Sequence, residues 1–301
     1  MLLSAFQMVW ATLAVTLVIL NTMGFSSVMV MLSPVKLMLP FPAWRRFWTA
    51  WFVEMGATWS TVNSRFLDWS RTTKIELDLP EGLSRNRSYL VLANHQTWVD
   101  MPVLEYALAR RIPGRRIFIK QSLIWVPFLG QACWAMDFPF MKRYTAKQLA
   151  KNPELRERNM DTVRQSCEKL KGMPSTLLNF SEGTRFTLAK HEQQRSPYTY
   201  LLKPRIAGVA TVIELLGDSL DGILDLTIVY PDNPRRPTFA DLFSGRIPRV
   251  VVQVRLLPVP GADGSGENGA SPRVRQWLQQ IWKEKDQAIA EIINKPQATA
   301  A

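Results

Sequence analysis

Apolar residues dominate the first 32 positions of the chain, which carry no charged side chain; the first is Lys36. A run of this length can cross a bilayer, which needs about 20 apolar residues, and it exceeds the hydrophobic core of a signal peptide. The softer residues 21–24 leave open a re-entrant helix pair that enters and leaves on one side. A helix buried in a protein core is the third alternative. The pattern favours a membrane-embedded segment.

A second helical pattern covers residues 42–67, where large apolar residues recur three and four positions apart. Arg45 and Arg46 flank this stripe. The arrangement suits a helix that lies in the membrane interface, with inserted aromatic rings and cations at the headgroups. An ordinary amphipathic helix facing a protein core has the same pattern. The stripe consists of Trp44, Phe47, Trp48, Trp51, Phe52, Met55 and Trp59.

From residue 74 onward, short apolar segments alternate with segments of helical periodicity. This alternation predicts an α/β fold, namely a single mixed-sheet domain with flanking helices behind the N-terminal membrane-embedded segment. We divide the chain into membrane or interfacial helices (1–70), the α/β domain (71–260), and a flexible loop with a C-terminal helix packed on the domain (261–301). The predicted strands are 74–79, 89–93, 115–120, 137–143, 175–180, 222–230 and 249–258, and the predicted helices are 98–110, 156–171, 205–216 and one that begins at residues 271 and 272.

The chain has a formal net charge of +12 and a pI near 10.0. Such a charge calls for an anionic partner, which can be nucleic acid, anionic lipid or a phosphorylated substrate. Cys133 and Cys167 lack metal-ligand spacing and form no disulfide framework, which indicates a reduced domain that faces the cytosol. Between Glu105 and Asp137 there is no acidic residue, and five basic residues in that interval favour anion binding: Arg110, Arg111, Arg115, Arg116 and Lys120.

The chain contains two histidines, the side chains best suited to proton transfer near neutral pH. His191 lies in a polar run that predicts a solvated loop, whereas His95 follows the apolar segment 89–93 and precedes Asp100 by five residues. Residues five apart point away from each other on a helix. The pair can therefore meet only if His95 stays in the loop and Asp100 lies in the first helical turn, with Thr97 as a plausible N-cap. A capping aspartate beside an incidental histidine is the alternative.

Residues 94–100 (Asn-His-Gln-Thr-Trp-Val-Asp) resemble the His-x4-Asp block of the glycerolipid acyltransferases, specifically the lysophosphatidic acid (1-acylglycerol-3-phosphate) acyltransferases. Residues 180–185 (Phe-Ser-Glu-Gly-Thr-Arg) resemble the Glu-Gly-Thr-Arg block of that family. Residues 120–130 and 140–143 resemble the blocks between them, and the similarity covers residues 75–260. Other runs look closest to a bacterial inner-membrane branch. The fourth block departs from the usual Val-Pro pair, so no residue is assigned from it.

The resemblance implies roles for the residues of these blocks. His95 would be the general base, and Asp100 would fix its tautomer and stabilise the imidazolium. Arg185, with Lys120 and Arg143, would hold the acceptor's phosphate. Glu182 would position Arg185 or the acceptor hydroxyl. Gly183 and Thr184 would shape the loop and offer backbone N–H groups to the phosphate.

The implied reaction moves an acyl chain from acyl-CoA or an acyl carrier protein thioester to lysophosphatidic acid and yields phosphatidic acid. It requires no metal and no cofactor. The expected partners are the lysophospholipid acceptor, the acyl donor and anionic membrane lipid, without nucleic acid; the expected location is the bacterial inner membrane, with the site on the cytoplasmic side. Three alternatives stay open: another lysophospholipid acceptor, a covalent route through Ser181, or a non-catalytic protein that binds anionic lipid or nucleic acid.

Overall fold

The computed structural model describes residues 5–70, 73–142, 144, 148, 151–152, 154–232, 237–261 and 271–295. The helices in these ranges are α1 (Ala5–Met38), α2 (Pro42–Ser70), α3 (Asp100–Leu108), α4 (Leu129–Ala135), α5 (Glu154–Leu170), α6 (Leu188–Gln194), α7 (Ile206–Leu216), α8 (Phe239–Phe243) and α9 (Pro272–Asn294). The strands are β1 (Lys74–Asp78), β2 (Tyr89–Ala93), β3 (Arg115–Ile117), β4 (Ile119–Lys120), β5 (Phe140–Met141), β6 (Thr176–Phe180), β7 (Gly222–Val229) and β8 (Arg249–Leu257). Short 3-10 turns occupy Gln121–Trp125 and Gly217–Ser219.

Six strands form one mixed sheet in the order β1-β8-β7-β2-β6-β3. Parallel pairing joins β7 to β2, β2 to β6 and β6 to β3, whereas β8 runs antiparallel to β7 and carries β1 at the edge. The predicted mixed-sheet α/β class with an N-terminal apolar helix is therefore confirmed. Because β2, β6 and β7 are parallel, their carboxyl ends meet at one edge of the sheet, where α/β folds place their ligands.

The central strand β2 is apolar at every position because helices cover both faces of the sheet. Tyr89, Val91 and Ala93 face a core shared with α1, α3 and α8, while Leu90 and Leu92 face a core shared with α5, α7 and α9. All five side chains are fully buried. This packing fixes the end of β2, and with it the start of the loop that holds His95.

Helix α1 runs without interruption through residues 21–24, so of the alternatives left open by the sequence the re-entrant helix pair is not formed. Polar side chains there find partners on α2 instead. The Asn21 amide donates to Oδ1 of Asn63 at 2.8 Å, and the Trp59 indole N–H donates to the Thr22 hydroxyl at 3.0 Å. Because these groups are satisfied between the helices, the apolar helix has no need to bend. Its segment Met8–Met38, with mean hydropathy 1.9, is long and apolar enough to cross a membrane.

Both ends of α1 contact the α/β domain. Near its start, Ala11 and Ala14 are buried in the core that includes residues of α8. Near its end, the buried ammonium of Lys36 pairs with Oδ2 of Asp137 at 2.9 Å and donates to the carbonyl of Ala135 at 2.8 Å. Lys36 therefore points into the protein. Along its length, α1 also exposes a row of apolar side chains: Met8, Val9, Leu13, Ile19, Leu20, Met23, Val28 and Met31.

The aromatic stripe of α2 divides between core and surface. Phe52 is fully buried and packs with Trp48 in a small core between α1, α2 and α4. Phe47 remains 61% exposed and Trp51 39% exposed. The buried rings fit a helix that faces a protein core, and the exposed rings fit a helix that lies in the membrane interface.

Two predicted strands are shorter than expected. The segment 115–120 divides at Phe118, because β3 joins the main sheet beside β6 whereas β4 pairs with β5 in a separate two-stranded sheet. The segment 137–143 forms only the two residues of β5 within the described residues. Asp137 cannot extend that strand, since it adopts a left-handed conformation with φ of 59° and binds Lys36.

Candidate active site

The loop that carries His95 is anchored to β7 by the side chain of Asn94. Its amide donates to the carbonyl of Ile228 at 2.9 Å, and its Oδ1 accepts from the Ile228 N–H at 2.9 Å. The side chain thereby continues the strand pairing beyond the end of β2, after which the backbone is free to leave the sheet. The Gln96 amide adds a bond of 3.2 Å to the same carbonyl.

Asp100 is fully buried at the first residue of α3 and organises the loop before it. Its Oδ2 accepts from the backbone N–H groups of Gln96 at 2.6 Å and Thr97 at 2.9 Å, and it lies 2.7 Å from Nδ1 of His95. His95 therefore lies outside the helix and Asp100 in its first turn, as the spacing requires. The predicted N-cap is wrong: Val99 precedes the helix, and the Thr97 hydroxyl instead donates to the carbonyl of Pro237.

Tyr230 is a member of this cluster that the sequence interpretation missed. Its hydroxyl donates to Oδ1 of Asp100 at 2.8 Å, and its side chain is 5% exposed. Burial, and then the neighbouring Asp100 carboxylate, raise the pKa of Tyr230 well above its usual range, so the phenol stays a donor. Tyr230 directly follows β7, whose carboxyl end lies beside that of β2, so strand pairing brings it to Asp100.

The imidazole of His95 has one nitrogen engaged and one free. Because Asp100 accepts from Nδ1–H, the neutral ring leaves Nε2 as an acceptor, and no described residue bonds to it. The ring stacks on Phe180 with centroids 4.0 Å apart and an interplanar angle of 22°. The His95 side chain is 16% exposed. The ring is therefore partly open to solvent.

Glu182 lies behind His95. Its Oε1 accepts from the backbone N–H of His95 at 3.4 Å, its Oε2 is buried without a hydrogen-bond partner, and the residue is 1% exposed. Burial raises its pKa to about 8. This bond places the side chain against the backbone of His95, and the structure shows no bond from it to Arg185. The neighbouring Ser181 hydroxyl is buried without a hydrogen-bond partner, and no bond joins it to His95.

The rest of the loop after β6 carries Arg185, which is half-buried. Its guanidinium lies over the ring of Trp98, 4.7 Å from the centroid, and it takes part in no ion pair with a described residue. The Lys190 ammonium donates to the Thr184 hydroxyl at 2.6 Å and to the Arg185 carbonyl at 3.1 Å. The N–H of Gly183 is already used, since it donates to the Phe180 carbonyl at 2.8 Å in a turn with φ of 67°. Arg185 is thus free to bind an anion.

Of the other residues considered, Lys120 and His191 make no bond to His95, Asp100 or Arg185 in the described part of the chain. Lys120 is exposed at the end of β4, without a bond that links it to His95 or Arg185. Arg143 lies outside the described residues. The loop expected around His191 is wrong: the residue belongs to α6, which the Thr187 hydroxyl caps, and its Nε2 lies 2.6 Å from the Tyr198 carbonyl. Within the described ranges no group of three or more His, Cys, Asp or Glu side chains is placed to hold a metal ion.

The chain is similar to known acyltransferases. The family model described as Acyltransferase matches residues 74–230, just over half of the chain. Lysocardiolipin acyltransferase 1 of Gallus gallus is 29% identical over 273 residues, a match that covers 86% of this chain and 67% of that protein. The 1-acyl-sn-glycerol-3-phosphate acyltransferase 3 of Arabidopsis thaliana is 26% identical over 249 residues and covers 76% of this chain but 60% of that protein.

A solved structure has the same fold. The crystal structure of the 1-acyl-sn-glycerophosphate acyltransferase from Thermotoga maritima matches with a TM-score of 0.54, over 95% of this chain and 99% of that chain. At 14% sequence identity the match shows the arrangement of elements. It includes the N-terminal helices, because almost the whole of both chains is covered.

Proposed function

The chain belongs to the acyltransferase family, and we propose that it transfers an acyl chain from an acyl thioester to the free hydroxyl of lysophosphatidic acid, giving phosphatidic acid. The names of the relatives from Arabidopsis thaliana and Thermotoga maritima support this acceptor. The observation that carries the proposal is the 2.7 Å contact of His95 with Asp100, which leaves Nε2 without a partner among the described residues.

In the proposed mechanism, Nε2 of His95 removes the proton of the acceptor hydroxyl while the oxygen attacks the thioester carbonyl carbon. The tetrahedral intermediate then collapses: the carbon–sulfur bond breaks, the thiolate leaves and takes the proton from the imidazolium, and the new ester remains. Asp100 stabilises the imidazolium and holds the ring's tautomer. General-base assistance of this kind contributes about 10²–10⁴ in rate.

Arg185 holds the acceptor in this proposal. Its planar guanidinium can bind two phosphate oxygens at once, and Trp98 supports its outer face. Glu182 acts as a positioning residue through the backbone of His95, in place of the predicted contact with the acceptor hydroxyl. The covalent route is less consistent with the geometry, since a nucleophilic serine has to contact its base and Ser181 has no such bond.

The helix pair α1–α2 is the proposed membrane attachment. A helix that crosses a bilayer has its ends on opposite sides of about 40–45 Å of lipid. Both ends of α1 contact the same domain, so we propose that the pair lies embedded in one leaflet with its exposed apolar row in the acyl region. The bilayer would be the bacterial inner membrane, with His95 on the cytoplasmic side. Acceptor and product could then exchange with that leaflet.

A product assay tests the proposed function. The purified protein in lipid nanodiscs is given a panel of acyl-CoAs and acyl carrier protein thioesters, each with lysophosphatidic acid, lysocardiolipin or another lysophospholipid. We expect phosphatidic acid as the main product. The name of the relative from Gallus gallus makes lysocardiolipin the second candidate acceptor. A preference for it would replace lysophosphatidic acid in the proposal. Salt-sensitive binding of anionic lipid or nucleic acid without turnover would contradict catalysis altogether.

A further inference from the structure

A second arginine lies against the same loop as Arg185. Arg205 directly precedes α7, and its backbone N–H donates to the carbonyl of Ser181 at 2.7 Å. Its side chain crosses Gly183: a Cβ added to that glycine would lie 2.5 Å from Nε and 3.0 Å from Cζ of Arg205. The missing side chain of Gly183 is therefore the space that the Arg205 guanidinium uses.

The charge of Arg205 is not compensated. The side chain is exposed, and within the described part of the chain it takes part in no ion pair. Its surroundings in sequence are also basic, because residues 183–205 carry five arginines and lysines against a single acidic residue, Glu192. A solubilising surface arginine is usually free to move in water. This one is instead held against the loop after β6, where an anionic substrate would bind in the proposed function.

We propose that Arg205 is a second anion-binding arginine of the active site, which binds a phosphate group of a substrate near Arg185. The inference rests on the proposed function. A phosphomonoester carries about −1.5 to −2 charges and three acceptor oxygens, more than one guanidinium neutralises. The acceptor has such a group, and a coenzyme A donor also carries phosphates. The chemistry is the same for both, so the experiment has to separate them.

The variant Arg205→Gln removes the charge and keeps the size of a polar side chain. Its matched control is Lys203→Gln, which removes an exposed cation two residues earlier in the same segment. KM is measured for lysophosphatidic acid at saturating acyl-CoA, and for acyl-CoA at saturating lysophosphatidic acid. We expect Arg205→Gln to raise one of the two KM values about 10- to 100-fold, as loss of a charge-assisted bond does. Lys203→Gln should keep both values, and Arg205→Lys should be intermediate.

The outcome assigns the phosphate or overturns the proposal. A higher KM for lysophosphatidic acid assigns Arg205 to the acceptor, and a higher KM for acyl-CoA assigns it to the donor. Wild-type values for both, at an unchanged unfolding temperature, mean that Arg205 binds no substrate. If the wild-type enzyme acylates no lysophospholipid, the proposed function fails by itself. Calorimetric titration with sn-glycerol 3-phosphate and with coenzyme A then tests the role of Arg205 independently of turnover. We expect Arg205→Gln to weaken the binding of one of the two compounds, and unchanged affinity for both would overturn the proposal.

Discussion

The hydroxyl of Tyr230 donates to Oδ1 of Asp100, the carboxylate oxygen that does not contact His95. Four donors thus surround one buried carboxylate: two backbone N–H groups, an imidazole and a phenol. This arrangement satisfies the charge without a cation, so the Asp100 carboxylate can hold the imidazole in place during proton transfer. Tyr230 is a positioning residue in this account, since it acts on His95 only through Asp100.

Removal of the Tyr230 hydroxyl is expected to impair turnover more than binding. In Tyr230→Phe, Asp100 loses a donor and moves more freely, so we expect kcat to fall about 10-fold while KM for the acceptor stays within about twofold. Steady-state kinetics with lysophosphatidic acid measures both. Tyr106→Phe is the matched control, because it breaks a comparable bond of 2.7 Å to Asp68 on the surface of α3. Equal kcat in the two variants would show that Tyr230 has no part in catalysis.

Trp98 is expected to act on acceptor binding through Arg185. The ring lies under the guanidinium at 4.7 Å and is itself 57% exposed, so its removal has little effect on the core. Cation–π contacts of this kind contribute about 0.5–2 kcal/mol. We therefore expect Trp98→Leu to raise KM for lysophosphatidic acid about 3- to 20-fold, and Trp98→Phe to raise it less. A fall in kcat with unchanged KM would contradict this role.

Glu182 makes the stability of the fold depend on pH. Its pKa is about 8 in the folded protein, because it is buried, against an ordinary value of 4.5. The folded state therefore keeps a proton that the unfolded chain releases between these values, and stability falls as pH rises through that window by up to about 1.4 kcal/mol per unit. Above the folded pKa the loss is complete.

The variant Glu182→Gln tests this dependence, because it cannot titrate. Urea unfolding between pH 5 and pH 9 should show the wild type losing stability relative to the variant as pH rises, with the difference levelling off above about pH 8. Glu214→Gln, on the exposed side of α7, should follow the wild type. A constant difference between wild type and Glu182→Gln over the whole range would mean that the buried carboxyl does not retain its proton.

The C-terminal helix contributes a buried charge to the domain. The ammonium of Lys285 on α9 is fully buried and lies 2.6 Å from Oδ1 of Asp225 on β7, while Arg255 binds the other oxygen of that carboxylate at 2.7 Å. In Lys285→Met, the buried Asp225 carboxylate keeps only one of these two cationic partners. We expect a loss of about 3 kcal/mol in the free energy of unfolding. The double variant with Asp225→Asn should be less destabilised than the sum of its parts; simple additivity would contradict a direct pair.

The sequence predicted the elements with strong local patterns and missed those that depend on distant partners. Periodicity identified β2 and α9, and the spacing of His95 and Asp100 correctly required a loop histidine. Neither pattern could show Tyr230, which lies 130 residues from Asp100 along the chain and joins it through parallel pairing. The continuity of α1 likewise depends on α2. The boundaries at residues 70 and 260, and the roles assigned to the site residues, stay predictions.

The central claim, that His95 is the general base of acyl transfer, is tested most directly by replacing each of the two histidines. Acyl incorporation into lysophosphatidic acid is measured in nanodiscs for His95→Ala and His191→Ala, with unfolding temperatures as a check on folding. We expect kcat to fall about 10²–10⁴-fold in His95→Ala and to stay near the wild-type value in His191→Ala. Wild-type turnover in a folded His95→Ala protein would contradict the account.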